Sequence, residues 1–436
     1  MSRFYRVAVI ILLLRLLLGI FMLGDRYLHT WDERFHALVA KNLADDPLQP
    51  KLYANPIHDY DHRNWGGNEI WLSKPPLALW PMAGAIKLFG NNEIAIRIPS
   101  LLFSLLAVWL SILLGKTLFD ERVGLLAGFF HAVHGLSLEF AAGIISSDHV
   151  DTLFALLVGG AFLFQVLFYK SQKNRFVIGT GVCVGLGFLT KYTMVLIPGA
   201  AIGLLWLLFP AKNWKNRLGN AALFTLTACL VVAPWMLYAL SAFPVEMKYI
   251  LEQTIAPAGE VIQEHAGAWW YYLEQIRIVF GELVYLPLIY LLVKFFKTSE
   301  LKWQILSAYI FIPLILLSCL ATKRDTYIMM LGSAFFVLNA QFCYALFRQK
   351  IRYLPKWLSY LIAVAVIVLA VRYGVERMKP LKPRWVIPTW KLELDQRVED
   401  LRASERPFVL YEEPHYLEAM FYYDGLVAYP FPKPVN

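Results

Sequence analysis

Charge and cysteine are both scarce in this chain. Only 17% of its 436 residues are charged, against about a quarter in soluble globular domains. Four cysteines occur, Cys183, Cys229, Cys319 and Cys343, each inside an apolar run and none in a CxxC spacing. That supports neither a disulfide framework nor a cysteine zinc site; they read as small buried residues. No solenoid-type repeat is present. Nor is there an inverted pair of Gly/Pro-broken helices of the kind transporters use. The first apolar run lacks a small-residue cleavage site, so it is expected to stay as a helix rather than leave as a signal peptide. A net charge of +9 accompanies these gaps. The basic residues flank apolar runs, as the positive-inside rule expects, so nucleic acid is not an expected partner.

What is present is apolar length. Hydrophobic residues make up 58% of the chain and the mean hydropathy is +0.51. A membrane span takes roughly 20 apolar residues, and about eleven such runs are expected here, at 4–24, 94–116, 123–144, 149–169, 176–190, 193–210, 217–240, 276–297, 303–320, 326–347 and 357–373. The fold class is therefore an all-α polytopic membrane protein. The basic groups Arg3/Arg6, Lys116/Arg122, Lys170–Arg175, Lys212–Arg217, Lys294–Lys302 and Arg348–Lys356 fall on one face if odd-numbered spans run outward, and that face is expected to be cytoplasmic. Residues 76–89 are too few to cross and begin with Pro75-Pro76, so they are expected to lie in the interface. Residues 25–93 and 241–275 then form external loops. Residues 374–436 form a small external α/β tail, with a strand near Phe408–Tyr411 and a helix near Tyr416–Tyr423. Two domains follow: 1–373 in the membrane and 374–436 outside it.

The polar residues that this layout places outside are the candidates for chemistry. Thr30-Trp31-Asp32-Glu33 fits a capping box, and Phe35, Leu38, Val39 and Leu43 continue at helical spacing, so 31–44 reads as an amphipathic surface helix. Glu33 is accounted for as a cap; Asp32 reads either as a complement to the helix dipole or as a general base beside the interface. Asp148 begins the fourth span, as an N-cap or a functional acid, with Asp151 one turn inside, where an acid is costly. Lys74, Lys191, Lys323 and Arg324 are cations on the face where the topology rule disfavours them. Lysine snorkelling accounts for Lys74 and Lys191, but Lys323-Arg324-Asp325 in a tight turn is suited to a lipid phosphate. One cation about 4 Å from a phosphate charge is worth roughly 4 kcal/mol at an effective dielectric of about 20. His265 precedes Trp269-Trp270-Tyr271-Tyr272, a girdle suited to the interface, a sugar or a lipid chain. His58-Asp59-Tyr60-Asp61-His62 holds metal-compatible residue types in no recognised spacing and reads as a solvated loop.

The order of these pieces resembles a known series. The acidic pair after the first span is followed by Lys74-Pro75-Pro76-Leu77, Gly90-Asn91-Asn92-Glu93 and Arg97-Ile98-Pro99-Ser100. Ser147-Asp148, Leu189-Thr190-Lys191, His265…Trp270-Tyr271-Tyr272 and Lys323-Arg324-Asp325-Thr326-Tyr327-Ile328 come after them. Together they resemble the GT-C membrane glycosyltransferases, in the branch of the protein O-mannosyltransferases and the bacterial aminoarabinose (lipid A) transferases, over about residues 1–345. The resemblance implies inverting sugar transfer from a polyprenyl-phosphate donor to a hydroxyl of lipid A, a glycan or a protein. The setting it implies is the periplasmic face of the bacterial inner membrane, among membrane lipids.

It implies Asp32 as the base, with Asp148 and Glu33 beside it as catalytic residues. Lys74, Lys191, Lys323 and Arg324 would hold the donor phosphate, and His265, Trp270, Tyr271 and Tyr327 the substrate. No cofactor is called for, and a divalent metal is left open. Ser73 stands where some relatives carry an acid before the lysine, so a metal site built on that acid is not expected; Met329-Met330 replaces a common Leu-Pro. A rival reading is a flippase or transporter of lipid-linked sugars, for which Arg15 midway along the first span is a foothold. A third is a non-catalytic subunit that binds a lipid head group.

Overall fold

The computed structural model describes residues 2–145, 149–208, 214–351, 353–379, 385–403 and 408–434. Helices dominate. In chain order they are α1 (Arg3–Met22), α2 (Asp32–Asp45), α3 (Leu79–Phe89), α4 (Glu93–Leu118), α5 (Glu121–Ala132) and α6 (Gly135–Ala142). Then come α7 (His149–Ser171), α8 (Asn174–Lys191), α9 (Leu196–Leu208), α10 (Trp214–Ala242), α11 (Pro244–Ile255) and α12 (Tyr271–Phe280). The chain continues with α13 (Tyr285–Lys297), α14 (Leu301–Cys319), α15 (Gly332–Phe347), α16 (Lys356–Met378), α17 (Thr389–Ala403) and α18 (Tyr416–Tyr422). Two short strands, β1 (Val409–Leu410) and β2 (Val427–Ala428), pair in parallel.

Eight segments among the described residues are long and apolar enough to cross a membrane. The pairs α5–α6 and α12–α13 add apolar stretches bent by 56° and 119°. By length α8 and α9 count as one 35-residue segment, but side-chain hydrogen bonds fold it in two. Gln165 Nε2 donates to Ile202 O at 3.0 Å, and Tyr169 OH donates to Leu205 O at 2.7 Å. Both bonds return α9 to the end of α7 from which α8 departed. The all-α polytopic fold is the expected one; the hairpin falls between the expected runs 176–190 and 193–210, and the two bends fall inside the expected runs 123–144 and 276–297.

The α5–α6 bend has an identifiable support. Arg15, fully buried in α1, donates to Ser137 O at 2.8 Å, to Ala132 O at 3.5 Å and to Ser104 Oγ at 3.3 Å. Helix ends leave carbonyls without intrahelical partners, and in lipid each such group costs several kcal/mol. The guanidinium thus answers the break between the two helices, which removes the foothold for a transport reading.

Helices α4 and α5 cross with almost no gap. A Cβ at Gly124 would sit 2.5 Å from Ile112 O. Asp120 starts α5 by accepting from the backbone N–H groups of Arg122 and Val123 at 2.8 and 3.0 Å. The basic clusters meet at this end of the bundle. Lys116 pairs with Glu121 at 2.9 Å, Lys170 donates to Thr117 O, and Lys302 lies 5.6 Å from the Phe119 ring.

At the opposite end, α2 and α3 lie under the tail. α3 has 11 residues and is too short to cross. Leu28, Phe35, Leu38 and Leu43 share one core with Leu394, Val398, Leu410, Leu417 and Phe421. Lys41 ties α2 to the end of α18 by donating to Met420 O and Phe421 O at 2.8 and 3.0 Å. The tail is therefore packed on the first loop through a common core, and α16 runs past residue 373 to Met378.

Gly124→Val is expected to cost roughly 1–3 kcal/mol by overpacking the α4–α5 crossing. The readout is a lower thermal-unfolding midpoint in detergent. Gly203→Val, where the added atoms meet nothing within 4 Å, is expected to leave the midpoint unchanged or higher.

Candidate active site

A buried ion pair sets the position of Asp32. Arg97, one turn into α4, donates through Nε to Glu33 Oε1 at 2.7 Å and through Nη2 to Glu33 Oε2 at 3.0 Å. Both side chains are completely buried. The same guanidinium donates to Leu23 O at 3.2 Å, Asp25 O at 2.5 Å and Tyr27 O at 2.7 Å, so it gathers the chain leaving α1. His29 lies 2.7 Å from Glu33 and 3.1 Å from Asp25, and His149 Nε2 lies 3.2 Å from Glu33 Oε1. Gly143 lines the same spot at φ +70, and a Cβ there would sit 2.6 Å from Glu33 Oε1.

The expected capping box does not form. Trp31 is the N-cap of α2, with no side-chain cap bond, and Glu33 accepts from the backbone N–H of His29 at 2.6 Å. The magnitudes explain the choice. A cap is worth about 0.5–2 kcal/mol, whereas stranding one member of a buried ion pair costs about 3–5 kcal/mol. Burial by itself pushes a carboxyl upward; here Arg97, then His29 and the His149 bond, outweigh it and hold Glu33 well below the usual carboxylate range. Burial likewise opposes the charged form of His29, but Glu33 and Asp25 raise its pKa above the ordinary value.

Asp32 is the first residue of α2 and half-buried, directly after Trp31 at φ 73. Positive φ in a bulky residue is strained by about 1–3 kcal/mol and persists only where the surroundings fix it. The end of α8 repeats the arrangement: Lys191 is followed by Tyr192 at φ 44. Lys191 pairs with Asp151 of α7 and lies 5.6 Å from the Tyr327 ring. Asp32 is within electrostatic reach of Lys191. The 72–77 segment is tied to the same helix end, since Tyr192 OH donates to Leu72 O at 3.0 Å and Leu77 N to Leu189 O at 3.3 Å. Lys74, half-buried, sits between those two ties.

The 322–331 turn joins a second cluster. Tyr327 belongs to the 3-10 turn Asp325–Leu331 and faces Lys191, while Arg324 at its start donates to Gln263 Oε1 at 2.5 Å. Ile262 N donates to Thr322 Oγ1 at 2.9 Å, and Lys323 N donates to His265 O at 2.8 Å, so the 262–271 loop is strapped to the turn. Burial first, then the Arg324 charge, lowers the pKa of the exposed His265. Lys323 is buried, and its ammonium is spent on Ser318 O and Leu320 O at the end of α14. Trp270 is exposed and donates to Glu274 Oε1 at 3.0 Å; Tyr271 is half-buried beside Gly267.

The structure thus brings Lys191 and Tyr327 together with Asp32 within electrostatic reach, and ties the segment that carries Lys74 to the same helix end. It sets Arg324, His265 and Tyr271 next to them, turns Glu33 and the Lys323 ammonium inward, and leaves Trp270 on the outer surface. Asp148 lies outside the described residues. Among those described, no three His, Cys, Asp or Glu side chains gather to hold a metal. His58 meets Tyr411 at 3.0 Å and Tyr60 meets Glu246 at 2.7 Å instead. Sequence reasoning assigned no role to Arg97, His29 or His149. The available signal for Arg97 was a charge one turn inside an apolar run.

Arg97→Leu is expected to cost roughly 3–5 kcal/mol, because it strands a buried carboxylate, and Arg97→Leu with Glu33→Leu recovers part of that loss. Thermal unfolding of the two single variants and the double variant makes the comparison. The pH dependence has a definite sign. Glu33 titrates in the folded state below its ordinary 4.5, so its ionised form adds stability above that pH, and the contribution is lost only as pH falls through the depressed value. The stability gap between wild type and Glu33→Gln is therefore expected to persist at pH 4.5 and to close in stronger acid.

Comparison with known proteins agrees with this architecture. Residues 73–238 match the family model described as dolichyl-phosphate-mannose-protein mannosyltransferase. An undecaprenyl phosphate-alpha-4-amino-4-deoxy-L-arabinose arabinosyl transferase of Pseudomonas aeruginosa (strain LESB58) is 30% identical over 215 residues, covering 48% of this chain and 38% of that protein. A second such transferase, from Pseudomonas fluorescens (strain Pf0-1), is 26% identical over 338 residues, covering 72% of this chain and 57% of that protein. The chain thus spans under two fifths of the length of the Pseudomonas aeruginosa relative. In three dimensions it is similar to ArnT from Cupriavidus metallidurans bound to undecaprenyl phosphate, with TM-score 0.71, 14% identity, and 96% of this chain and 85% of that one covered. The Archaeoglobus fulgidus oligosaccharyltransferase in the apo form follows at TM-score 0.65 and 15% identity, with 99% and 65% covered. The chain is a multi-pass membrane protein that shares the fold of these two structures.

Proposed function

We propose that the protein is an inverting glycosyltransferase that moves a sugar from a polyprenyl-phosphate donor to a hydroxyl of lipid A, a glycan or a protein. The observation that carries this reading is that Lys191, paired with Asp151, lies 5.6 Å from the Tyr327 ring with Asp32 within electrostatic reach, at one end of the bundle, opposite the end where the basic clusters lie. By the positive-inside rule the basic end is cytoplasmic. The site then faces the periplasm of a bacterial inner membrane. The relatives named for undecaprenyl phosphate-linked aminoarabinose make that the first donor to test.

The chemistry assigned to these residues is short. Asp32 Oδ accepts the proton of the acceptor hydroxyl as that oxygen attacks the anomeric carbon. The bond from that carbon to the phosphate oxygen breaks on the opposite face, and its electron pair leaves on the lipid phosphate. Attack and departure on opposite faces invert the centre. Cations then stabilise the departing phosphate. Lys74 and Arg324 are assigned to it directly, and Lys191 is kept in place by its pairing with Asp151. Lys323 is assigned to shaping the 322–331 turn through its main-chain contacts. Glu33 is assigned to holding Asp32 through Arg97. Tyr327, Tyr271, His265 and Trp270 are assigned to the donor's sugar and lipid.

The test is release of undecaprenyl phosphate from its aminoarabinose conjugate by protein purified in detergent. Asp32→Asn is expected to lower turnover by about 100-fold or more. Lys74→Ala and Arg324→Ala are expected to raise the donor KM with unchanged thermal stability. Full turnover by Asp32→Asn would overturn the base assignment.

A further inference from the structure

A cleft of about 330 Å³ opens between residues 53–69 of the first external loop and the end of the tail, at the lower end of the size range for small-molecule sites. The mechanism uses none of its residues. Tyr60 and Phe431 expose about two fifths of their surface there. Behind them Tyr429 is buried, with its ring centroid 4.8 Å from that of Phe431, and its hydroxyl accepts from the backbone N–H groups of Ile57 and His58 at 2.9 and 3.3 Å. The aromatic floor is thus fixed to the loop wall. Asp59, Asp61 and Glu69 line the opening; among the described residues none is paired with a lysine or an arginine, and Asp61 lies 3.9 Å from His62. The buried Glu246 fixes Tyr60 by accepting from its hydroxyl at 2.7 Å. The cleft is also close to the chemistry. Gly66 in its wall lies against the ring of Phe35, which is one turn beyond Asp32 on α2.

Rigid aromatic faces present flat apolar area, and unpaired carboxylates accept hydrogen bonds from hydroxyl or ammonium donors while repelling anions. We propose that this cleft binds a saccharide free of anionic groups and acts as the subsite for the glycan part of the acceptor, an inference that rests on the glycosyltransferase reading above. The loop and the tail each supply one wall, so acceptor choice is encoded where those two segments meet.

The full chain in detergent should be titrated with mannotriose and with trigalacturonic acid, and followed by saturation-transfer NMR. Mannotriose is expected to bind, and trigalacturonic acid is not. Phe431→Ala and Asp59→Asn change exposed side chains and are each expected to weaken mannotriose binding at least fivefold with unchanged thermal stability. Asp32→Asn is expected to keep mannotriose binding while losing donor turnover, which separates failure of this subsite from failure of the transferase reading. No mannotriose binding by the wild type, equal binding of trigalacturonic acid, or full binding by both cleft variants would overturn the proposal.

Discussion

The Glu33–Arg97 ion pair is the contact on which the site depends. It joins α2 to α4 with no exposure to water, and the same guanidinium collects three carbonyls from the chain leaving α1. A buried pair of this kind adds little net stability relative to an apolar pair of the same shape. Its effect is positional. An apolar pair would allow α2 to rotate or slide; a bidentate guanidinium–carboxylate contact does not. Asp32, next in sequence to the anchor, inherits that fixed geometry.

The same logic runs through the rest of this end of the bundle. Trp31 and Tyr192 each hold a positive φ beside a charged residue of the site. In both cases a buried contact ties the spot down: Glu33, two residues after Trp31, is held by Arg97, and Tyr192 itself donates to the carbonyl of Leu72. Backbone strain there is met by tertiary bonds rather than by local preference. The charges are arranged with similar economy. Lys191 is set against Asp151, and Lys323 against the free carbonyls of α14, which leaves Lys74 and Arg324 as the cations with the least internal commitment.

Much of this was legible from residue types and spacing. Apolar runs, the alternation of basic groups, and a segment at 76–89 too short to cross follow from the physics of a span. The amphipathic helix after Asp32, and the strand and helix of the tail, follow from periodicity. The break between the runs 176–190 and 193–210 was legible at Lys191, whereas the bend after Ala132 was not, because apolar residues continue across it and its side-chain partner lies far along the chain. Glu33 illustrates the limit at the site. Its local spacing matches a cap, and its actual partner is 64 residues away. Lys323 was legible as an unusual external cation, but not as one turned back onto its own helix end, since that depends on a side-chain rotamer rather than on position.

Arg15 has a bearing on how the chain reaches the membrane. A central arginine costs roughly 2.5–3.5 kcal/mol when a helix enters the bilayer alone. Its carbonyl partners at Ala132 and Ser137 lie 117 and 122 residues further along. During synthesis the first helix is therefore committed well before the groups that accommodate its charge have emerged. The partners of the guanidinium thus follow it in order of synthesis, Ser104 of α4 first and the carbonyls at the α5–α6 break last.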